Sequence, residues 1–373
     1  MSRFSGDFAA PLPKRADVVI VGGGPGGLTC AERLAQKGVE VLLLERKSAF
    51  GHKVCAGGVT SQGLLPRVPT ELLERVFSEQ HLISPRQRIV VRDPKPAPIV
   101  ATLSRRRLGQ WMARQAAEAG AQLRGGAQVL AVEPGRVTVR AAGGVQVIGC
   151  EHVVGADGAR SLLRRTLGLP SRLFLGLNAR LPLVLPRMEW HLAPRLFGAG
   201  YAWIFPHRDT SSVGALADAG RMGAACLRQN LEHWAAGQGL ATEGVAWQAG
   251  FINAAYCGLC FGRQWLVGDA AGLASPLTGE GIFPAVASGE AVAEMIVSRQ
   301  SMTPALAALI QGQRRHWRIL DWSGRNPLLT GMLAEVLLLL LRLRVLDFHQ
   351  LEMSTLQQRN MSRPRGPAPA LHD

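Results

Sequence analysis

Residues 16–47 read ADVVIVGGGPGGLTCAERLAQKGVEVLLLERK. An apolar strand, Asp17 to Val21, enters Gly22-Gly23-Gly24-Pro25-Gly26-Gly27; a helical stretch then runs to about Lys37, Gly38 ends it, and a second apolar strand finishes at Glu45. Gly22, Gly24 and Gly27 have the spacing G-x-G-x-x-G. The first permits a tight turn, the second lets backbone amides approach a pyrophosphate, and the third lets helix and strand pack closely. The helix start at Pro25 and Gly26 turns its partial positive charge toward phosphates. Glu45, followed by Arg46, stands where a carboxylate accepts both ribose hydroxyls and repels a 2′-phosphate. Strand, glycines, helix, strand and acid in register specify a dinucleotide site far more strongly than the glycines alone. One such unit does not separate FAD from NAD.

The rest of the chain narrows the class. Its 373 residues, 47% hydrophobic, are enough for a large core and two joined domains. Six scattered cysteines and an N-terminus without signal-peptide pattern predict a reducing, cytoplasmic setting. Cys257 and Cys260 have CxxC spacing, but with no second pair they read as structural, and no metal-ligand set is expected. A net charge of +15 raises polyanionic partners. Only five residues are lysine, however, and the arginines are spread thinly, without a basic helix interleaved with aromatics. Nucleic acid is therefore not expected, whereas acidic phospholipid or a pyrophosphate-bearing substrate fits. The longest apolar window, Asn326 to His349, is broken by Glu335, Arg342 and Arg344 and falls short of the ~18–20 residues of a membrane span. It reads as an amphipathic helix packed on the domain. A helix resting on the bilayer, giving peripheral contact with the inner membrane surface, and the wall of a greasy tunnel are the other readings. Residues 359–373 are Pro-rich and read as a disordered tail.

Two later motifs bear on the dinucleotide. VVGADGARSLLRR, Val153 to Arg165, is a strand leading into Asp157-Gly158 and a basic helix. QWLVGDAAGLASPLTGEGIFPAVASGEAVAE, Gln264 to Glu294, is a strand, then Gly268-Asp269, a glycine-proline loop and a small-residue helix. An acid at Asp269 can hold a ribityl hydroxyl, and the helix start near Gly279, Gly281 and Ile282 can offer amides to an electron-rich ring. With these three motifs in this order the chain resembles the FAD-dependent p-hydroxybenzoate hydroxylase superfamily, which implies FAD held as a prosthetic group. The resemblance also implies a cofactor-touching arginine, carried here by Arg105 of LSRRRLGQW, three residues before Leu108. The family's aspartate is Gly109 in this sequence, and a solvated basic turn is the competing reading of Arg105.

Within that superfamily, hydroxylases continue the last motif as GDAAH, with an asparagine after the final glycine pair. Here Gly272 stands in the histidine position and Ile282-Phe283 in place of the asparagine. That form resembles the geranylgeranyl reductase family, which implies reduction of isolated carbon-carbon double bonds in polyprenyl chains. GHKVCAGGVT, Gly51 to Thr60, is similar to the family's Cys-Gly loop, which implies that Cys55, Ala56, Gly57 and Gly58 lie by the isoalloxazine ring. GAGYAWIFP, Gly198 to Pro206, is similar to the family's P-x-x-Y-x-W-x-F-P, with Gly198 for the first proline; this implies that Tyr201, Trp203 and Phe205 line the substrate cavity. Those three alternate on one strand face, which composition alone also allows as plain core. The implied reaction needs a hydride, a proton and no carboxylate pair or histidine triad; Cys55, or a water near Tyr201, is the candidate proton donor.

The predicted fold is α/β: a discontinuous Rossmann-like FAD domain (1–80, 101–170 and 261–300), an inserted mixed β-sheet substrate domain (81–100 and 171–260) and a helical C-terminal segment (301–358). No second G-x-G-x-x-G unit is present for NADPH, so NADPH docking transiently, or a ferredoxin-type carrier, would supply electrons. A flavin-dependent aromatic monooxygenase or halogenase, and a flavin electron-transfer protein, are the rival functions.

Overall fold

A computed structural model describes residues 11–93, 97–298, 303–323 and 326–353. The Pro-rich tail lies outside the described residues. Strand Arg15–Val21 is the centre of an eight-stranded sheet, because its run Val18-Val19-Ile20 is fully buried and so must be covered on both faces. It pairs in parallel with Val41–Glu45 on one side and with Gly144–Gly155 on the other, placing Ile20 opposite both Leu43 and Val154. Gln122–Gly125 and Gln264–Leu266 extend the two sides, also in parallel. Parallel pairing puts the C-terminal ends of these five strands at one edge. Gly22, Glu45, Asp157 and Gly268, spread over almost 250 residues of chain, therefore emerge side by side, as open α/β sheets require of a ligand site.

Helix Pro25–Gln36 and helix Ile282–Ser298 cross almost backbone to backbone over this sheet. A methyl group on Gly289 would stand 2.4 Å from the Gly26 carbonyl, and one on Gly26 would stand 2.9 Å from the Ala285 carbonyl. The small-residue composition of the later helix is what allows this approach.

The second sheet has seven strands, in the order Gln248–Asn253, Leu173–Leu181, Ser211–Asp218, Tyr201–Pro206, Glu189–His191, Glu79–Ile83, Arg88–Arg92. All pairs are antiparallel except Glu189–His191 with Glu79–Ile83, so the sheet is mixed. Helix Ala224–Gly237 covers one face, packing Leu227, Leu231 and Trp234 against Leu175, Leu177 and Ala215. Tyr201, Trp203, Phe205 and Leu216 belong to a separate core with Phe174 and Met188. A three-stranded sheet, Gly58–Thr60, Val100–Leu103 and Leu73–Phe77, links the two sheets: Val59 and Leu103 belong to the core built on Val18 to Ile20, and Phe77 and Val100 to the core of Tyr201 and Trp203.

The apolar window near the C-terminus forms helix Pro327–Arg342, shorter than the stretch read from sequence. Asn326 caps it by accepting from the Leu328 N–H at 2.9 Å, and Pro327 fills the first position, where no amide is needed. Leu338 and Leu341 pack on Leu82 and Ile89. Glu335, which the sequence presents as a break in an apolar run, anchors the helix: its carboxylate accepts from Arg86 N (3.2 Å), Ser84 Oγ (2.9 Å) and Gln87 Nε2 (2.9 Å). The chain turns back at Arg344, whose φ is +57°, and brings Phe348 and Leu351 in behind the helix. Leu328, Met332, Val336, Leu339 and Leu343, at spacings of four, four, three and four, form one apolar stripe on the outer face, between 44% and 75% exposed. Among the described residues no helix is long and apolar enough to cross a membrane.

Candidate active site

The glycine turn divides its labour as the spacing implies. Gly22 has φ +107°, and a Cβ there would lie 2.5 Å from the Ala156 carbonyl oxygen; one on Gly27 would lie 2.2 Å from the Gly22 oxygen. Gly24 differs. Its only neighbour on the Cβ side is Ala156 O at 3.7 Å, so nothing in the protein requires glycine there and the space it leaves faces the cavity. The helix behind it starts at Pro25 with no side-chain cap, leaving its first amides for a ligand. Glu45 braces the loop, accepting from Gly23 N at 2.8 Å and from Lys47 N at 2.9 Å.

Two buried polar groups lack partners at this end. Arg105 begins helix Arg105–Glu118 and is buried, its Nη1 without a hydrogen bond, while Arg106 is exposed. This excludes the solvated basic turn. Burial lowers its pKa, against weaker support from Cys55 and Asp269. Gly109, the departure from the family pattern, is required here: a Cβ would meet Gly51 Cα at 2.4 Å. Asp157 accepts from Leu162 N at 2.6 Å through Oδ2, but Oδ1 is buried and unpartnered, and burial raises its pKa. A buried cation and a buried carboxylate oxygen left open cost about 1–3 kcal/mol each or more. A dinucleotide phosphate and a sugar hydroxyl are the partners that answer both. The residues therefore fit FAD.

At the ring end, Asp269 is joined by Lys53 Nζ at 2.5 Å. Gly279 has φ +68°, and a Cβ on it would meet the Tyr201 hydroxyl at 2.5 Å. That hydroxyl donates to Thr278 O at 2.6 Å and so ties the aromatic strand to the loop ahead of Ile282. Burial raises the Tyr201 pKa, so its proton stays in place. Helix Pro304–Ser323 supports the same loop from behind: His316 Nδ1 meets Ser275 Oγ at 2.9 Å, Ser275 Oγ accepts from Thr278 N, and Gln313 donates to Gly272 O. Gly272 is left-handed (φ +77°), with space for no side chain, since a Cβ would lie 2.2 Å from Ala255 O. A histidine cannot occupy that position in this backbone.

The Cys-Gly loop is fixed by groups the sequence reading missed. His207 Nε2 donates to Ala56 O at 2.8 Å, and Nδ1 pairs with Glu74 Oε2 at 2.6 Å, which holds the Glu74 carboxyl below its ordinary range. A Cβ on Gly57 would strike His207 Cε1 at 2.6 Å, and one on Gly58 would strike the Phe205 ring at 2.8 Å. Cys55 Sγ accepts from Gly57 N at 3.3 Å. His207 directly follows the W-x-F-P segment, a signal that was available.

These parts surround a single cavity of about 910 Å³. Gly22, Gly24, Pro25, Gly26, Glu45, Arg46, Cys55, Ala56, Gly58, Arg105, Asp157, Tyr201, Trp203, Phe205, Gly268, Asp269, Gly279, Gly281 and Ile282 all line it. Gly27 and Gly57 stand just behind the wall. Exposed Arg46, Lys47, Arg160 and Arg165 rim the dinucleotide end, with Lys53 further along beside Asp269. The opposite end is apolar, formed by Leu82, Val100, Met188, Leu192, Leu337 and Phe348. Trp190 stacks at 4.8 Å from Tyr201 and 5.0 Å from Phe205, with its indole nitrogen buried and unpartnered. No motif announced Trp190, Lys53 or Glu280, although the last two lie inside segments quoted for other residues.

Residues 15–181 match the FAD binding domain family model. The chain is 32% identical over 314 residues to digeranylgeranylglycerophospholipid reductase 2 of Methanothermobacter thermautotrophicus, covering 76% of this chain and 79% of the relative. It is 31% identical over 319 residues to the menaquinone reductase of Mycolicibacterium smegmatis, covering 76% and 77%. In structure it is similar to a geranylgeranyl bacteriochlorophyll reductase-like protein from Thermoplasma acidophilum, with a TM-score of 0.70 at 23% identity over 92% of this chain and 90% of that one. With an FAD-binding sheet, a cradle left open for the dinucleotide and relatives at this level across most of its length, the chain belongs to the geranylgeranyl reductase family of FAD-dependent oxidoreductases.

Proposed function

We propose that this protein reduces carbon-carbon double bonds of an isoprenoid lipid or prenylated precursor. The observation that carries the reading is the continuity of one cavity from the FAD cradle to an apolar end under the C-terminal helix. Relatives named for reduction of digeranylgeranylglycerophospholipid and of menaquinone are of the same kind. Gly22, Gly24, Gly26, Glu45, Arg105 and Asp157 would hold the dinucleotide, and Lys53, Asp269, Gly279, Gly281 and Ile282 would meet the flavin. Bound and reduced, FAD supplies a hydride to one alkene carbon. Tyr201, Trp203 and Phe205 would align the chain beside Cys55, and the apolar wall excludes water from the reacting bond. Gly272 and the apolar end favour this reading over an aromatic monooxygenase or halogenase. In the test, dithionite-reduced holoenzyme is mixed anaerobically with geranylgeranyl lipids and menaquinone. Hydrogenated product supports the reading; oxygen-dependent hydroxylation or halogenation of an aromatic, with no hydrogenation, overturns it.

The basic rim suits an anionic electron donor, NADPH or an acidic ferredoxin-type protein. Flavin bleaching by NADPH alone, against bleaching only with reduced ferredoxin, distinguishes them. The stripe from Leu328 to Leu343, with exposed Arg342 and Arg344 at its end, suits peripheral contact with an anionic bilayer. Leu337 of the same helix lines the cavity, so a lipid tail would have one helix to pass. Leu328→Ser with Met332→Ser should lower co-sedimentation with anionic vesicles severalfold and leave the melting temperature unchanged; undiminished co-sedimentation would remove the helix from the membrane reading.

A further inference from the structure

Away from the pyrophosphate cradle, the titratable side chains among the described residues that line the cavity are exposed His52, the paired Lys53 and Asp269, and Cys55, Tyr201, Glu280 and Glu352. The Tyr201 proton is committed to Thr278 O. Glu352 lies 3.0 Å from His349 Nδ1, and that contact lifts the His349 pKa to about 9, so the two form an ion pair at neutral pH. Cys55 receives the Gly57 amide at its sulfur.

Glu280 is placed differently. It stands in the loop between Thr278, whose carbonyl holds Tyr201, and Gly281, where a Cβ would approach Asp269 Oδ1 at 3.3 Å. One carboxyl oxygen accepts from Met353 N at 3.0 Å. The other, Oε1, lies 3.2 Å from a point one Cβ out from Gly63, a point that is also 3.1 Å from Thr60 Oγ1; the Thr60 hydroxyl is buried without a partner, and both Glu280 and Thr60 line the cavity. A carboxyl oxygen without a hydrogen-bond donor of its own among the described residues and an open hydroxyl thus both sit near Gly63, on residues of the cavity wall.

We propose that Glu280 is the proton donor to the substrate alkene, a step that rests on the alkene-reductase reading above. The alkene π pair forms a C–H bond with the carboxyl proton, and the hydride supplied by the reduced flavin forms the C–H bond at the adjacent carbon. The double bond becomes single, the flavin is left oxidised, and the Glu280 carboxylate regains a proton from water. Burial, and the charge of Glu352, push the Glu280 pKa up to about 7, where an acid is both present and able to give its proton. Tyr201 on the aromatic strand is coupled to the Glu280 charge, and Asp269, paired with Lys53, lies beside the neighbouring Gly281; His316 holds the loop through Ser275, and Arg67 lies over the Phe283 ring.

Glu280→Gln keeps an oxygen for Met353 N and removes the acid. Wild-type holoenzyme should hydrogenate a geranylgeranyl lipid at a rate flat below pH ~7 and falling above it; in Glu280→Gln that rate should drop ~100-fold or more and lose this pH limb, a loss within the range general acids supply. Anaerobic flavin reduction by dithionite and the flavin spectrum should stay as in wild type. A non-catalytic readout runs beside it. A carboxyl with a raised folded pKa favours folding fully below about 4.5 and loses that contribution as pH rises through about 7, so the melting temperature of the variant should gain on wild type between pH 5 and 8. If wild type hydrogenates and the variant keeps its rate and profile, the proton comes from elsewhere, Cys55 first, and the proposal is overturned. If wild type hydrogenates no polyprenyl acceptor, the functional reading itself fails, whatever the melting curves show.

Discussion

At the dinucleotide end of the cavity the surfaces that meet a ligand are largely backbone: the open flank of Gly24 and the first amides of the helix behind it, with two charged groups left waiting. At the other end they are side chains from four separate parts of the chain: Leu82, Met188 and Trp190, Tyr201 to Phe205, and Leu337 to Phe348. Backbone geometry recognises what all dinucleotides share. Side chains decide which molecule lies against the ring. A change that closes the backbone cradle should therefore cost more than the loss of any single side chain.

The sharpest break should come from Gly24→Val. Among the described residues no atom crowds that position, so the apoprotein should melt within a few degrees of wild type, while FAD affinity falls ~100-fold, about 2.7 kcal/mol. A purified variant that keeps its yellow colour would deny the backbone cradle. Arg105→Met should come next. It should weaken FAD ~10-fold and, by removing an orphaned buried cation, stabilise the apoprotein by about 1 kcal/mol in urea titration. An apoprotein destabilised by the change would mean that Arg105 has a structural partner. Trp190→Ala belongs to the side-chain end: flavin content should hold, and half-saturation by a polyprenyl acceptor should rise ~10-fold, the usual size of one lost aromatic anchor.

The smallest effect concerns the Phe348–Leu351 turn. His349, held between Asp93 and Glu352, has its folded pKa raised to about 9, so its contribution is full below about 6.5 and disappears as pH climbs through 9. His349→Gln should thus cost a few degrees of melting temperature at pH 6.5 and nothing at pH 10. An equal loss at both would put the contribution in packing instead of charge.

The same contrast explains what the chain disclosed before folding. The glycine turn, Glu45 and the paired Asp-Gly and Gly-Asp motifs were readable because each constraint lies within a few residues. Cys55, Tyr201, Trp203 and Phe205 were reached through resemblance, and all four line the cavity. What stayed hidden depends on contact across distance: Lys53 with Asp269, 216 residues apart, and Glu74 with His207, 133 apart. Glu335 broke the apolar run as read, but its anchoring role stayed hidden for the same reason. Its partners, Ser84 to Gln87, lie some 250 residues earlier, and only the fold turns an interruption into an anchor.

The most direct measurement mixes reduced holoenzyme, free of oxygen, with a polyprenyl lipid, and follows flavin absorbance and product mass together. The account requires the yellow colour to return as the lipid gains two hydrogens for each flavin reoxidised. A flavin that stays bleached against every polyprenyl acceptor and recovers only when oxygen is admitted would contradict it.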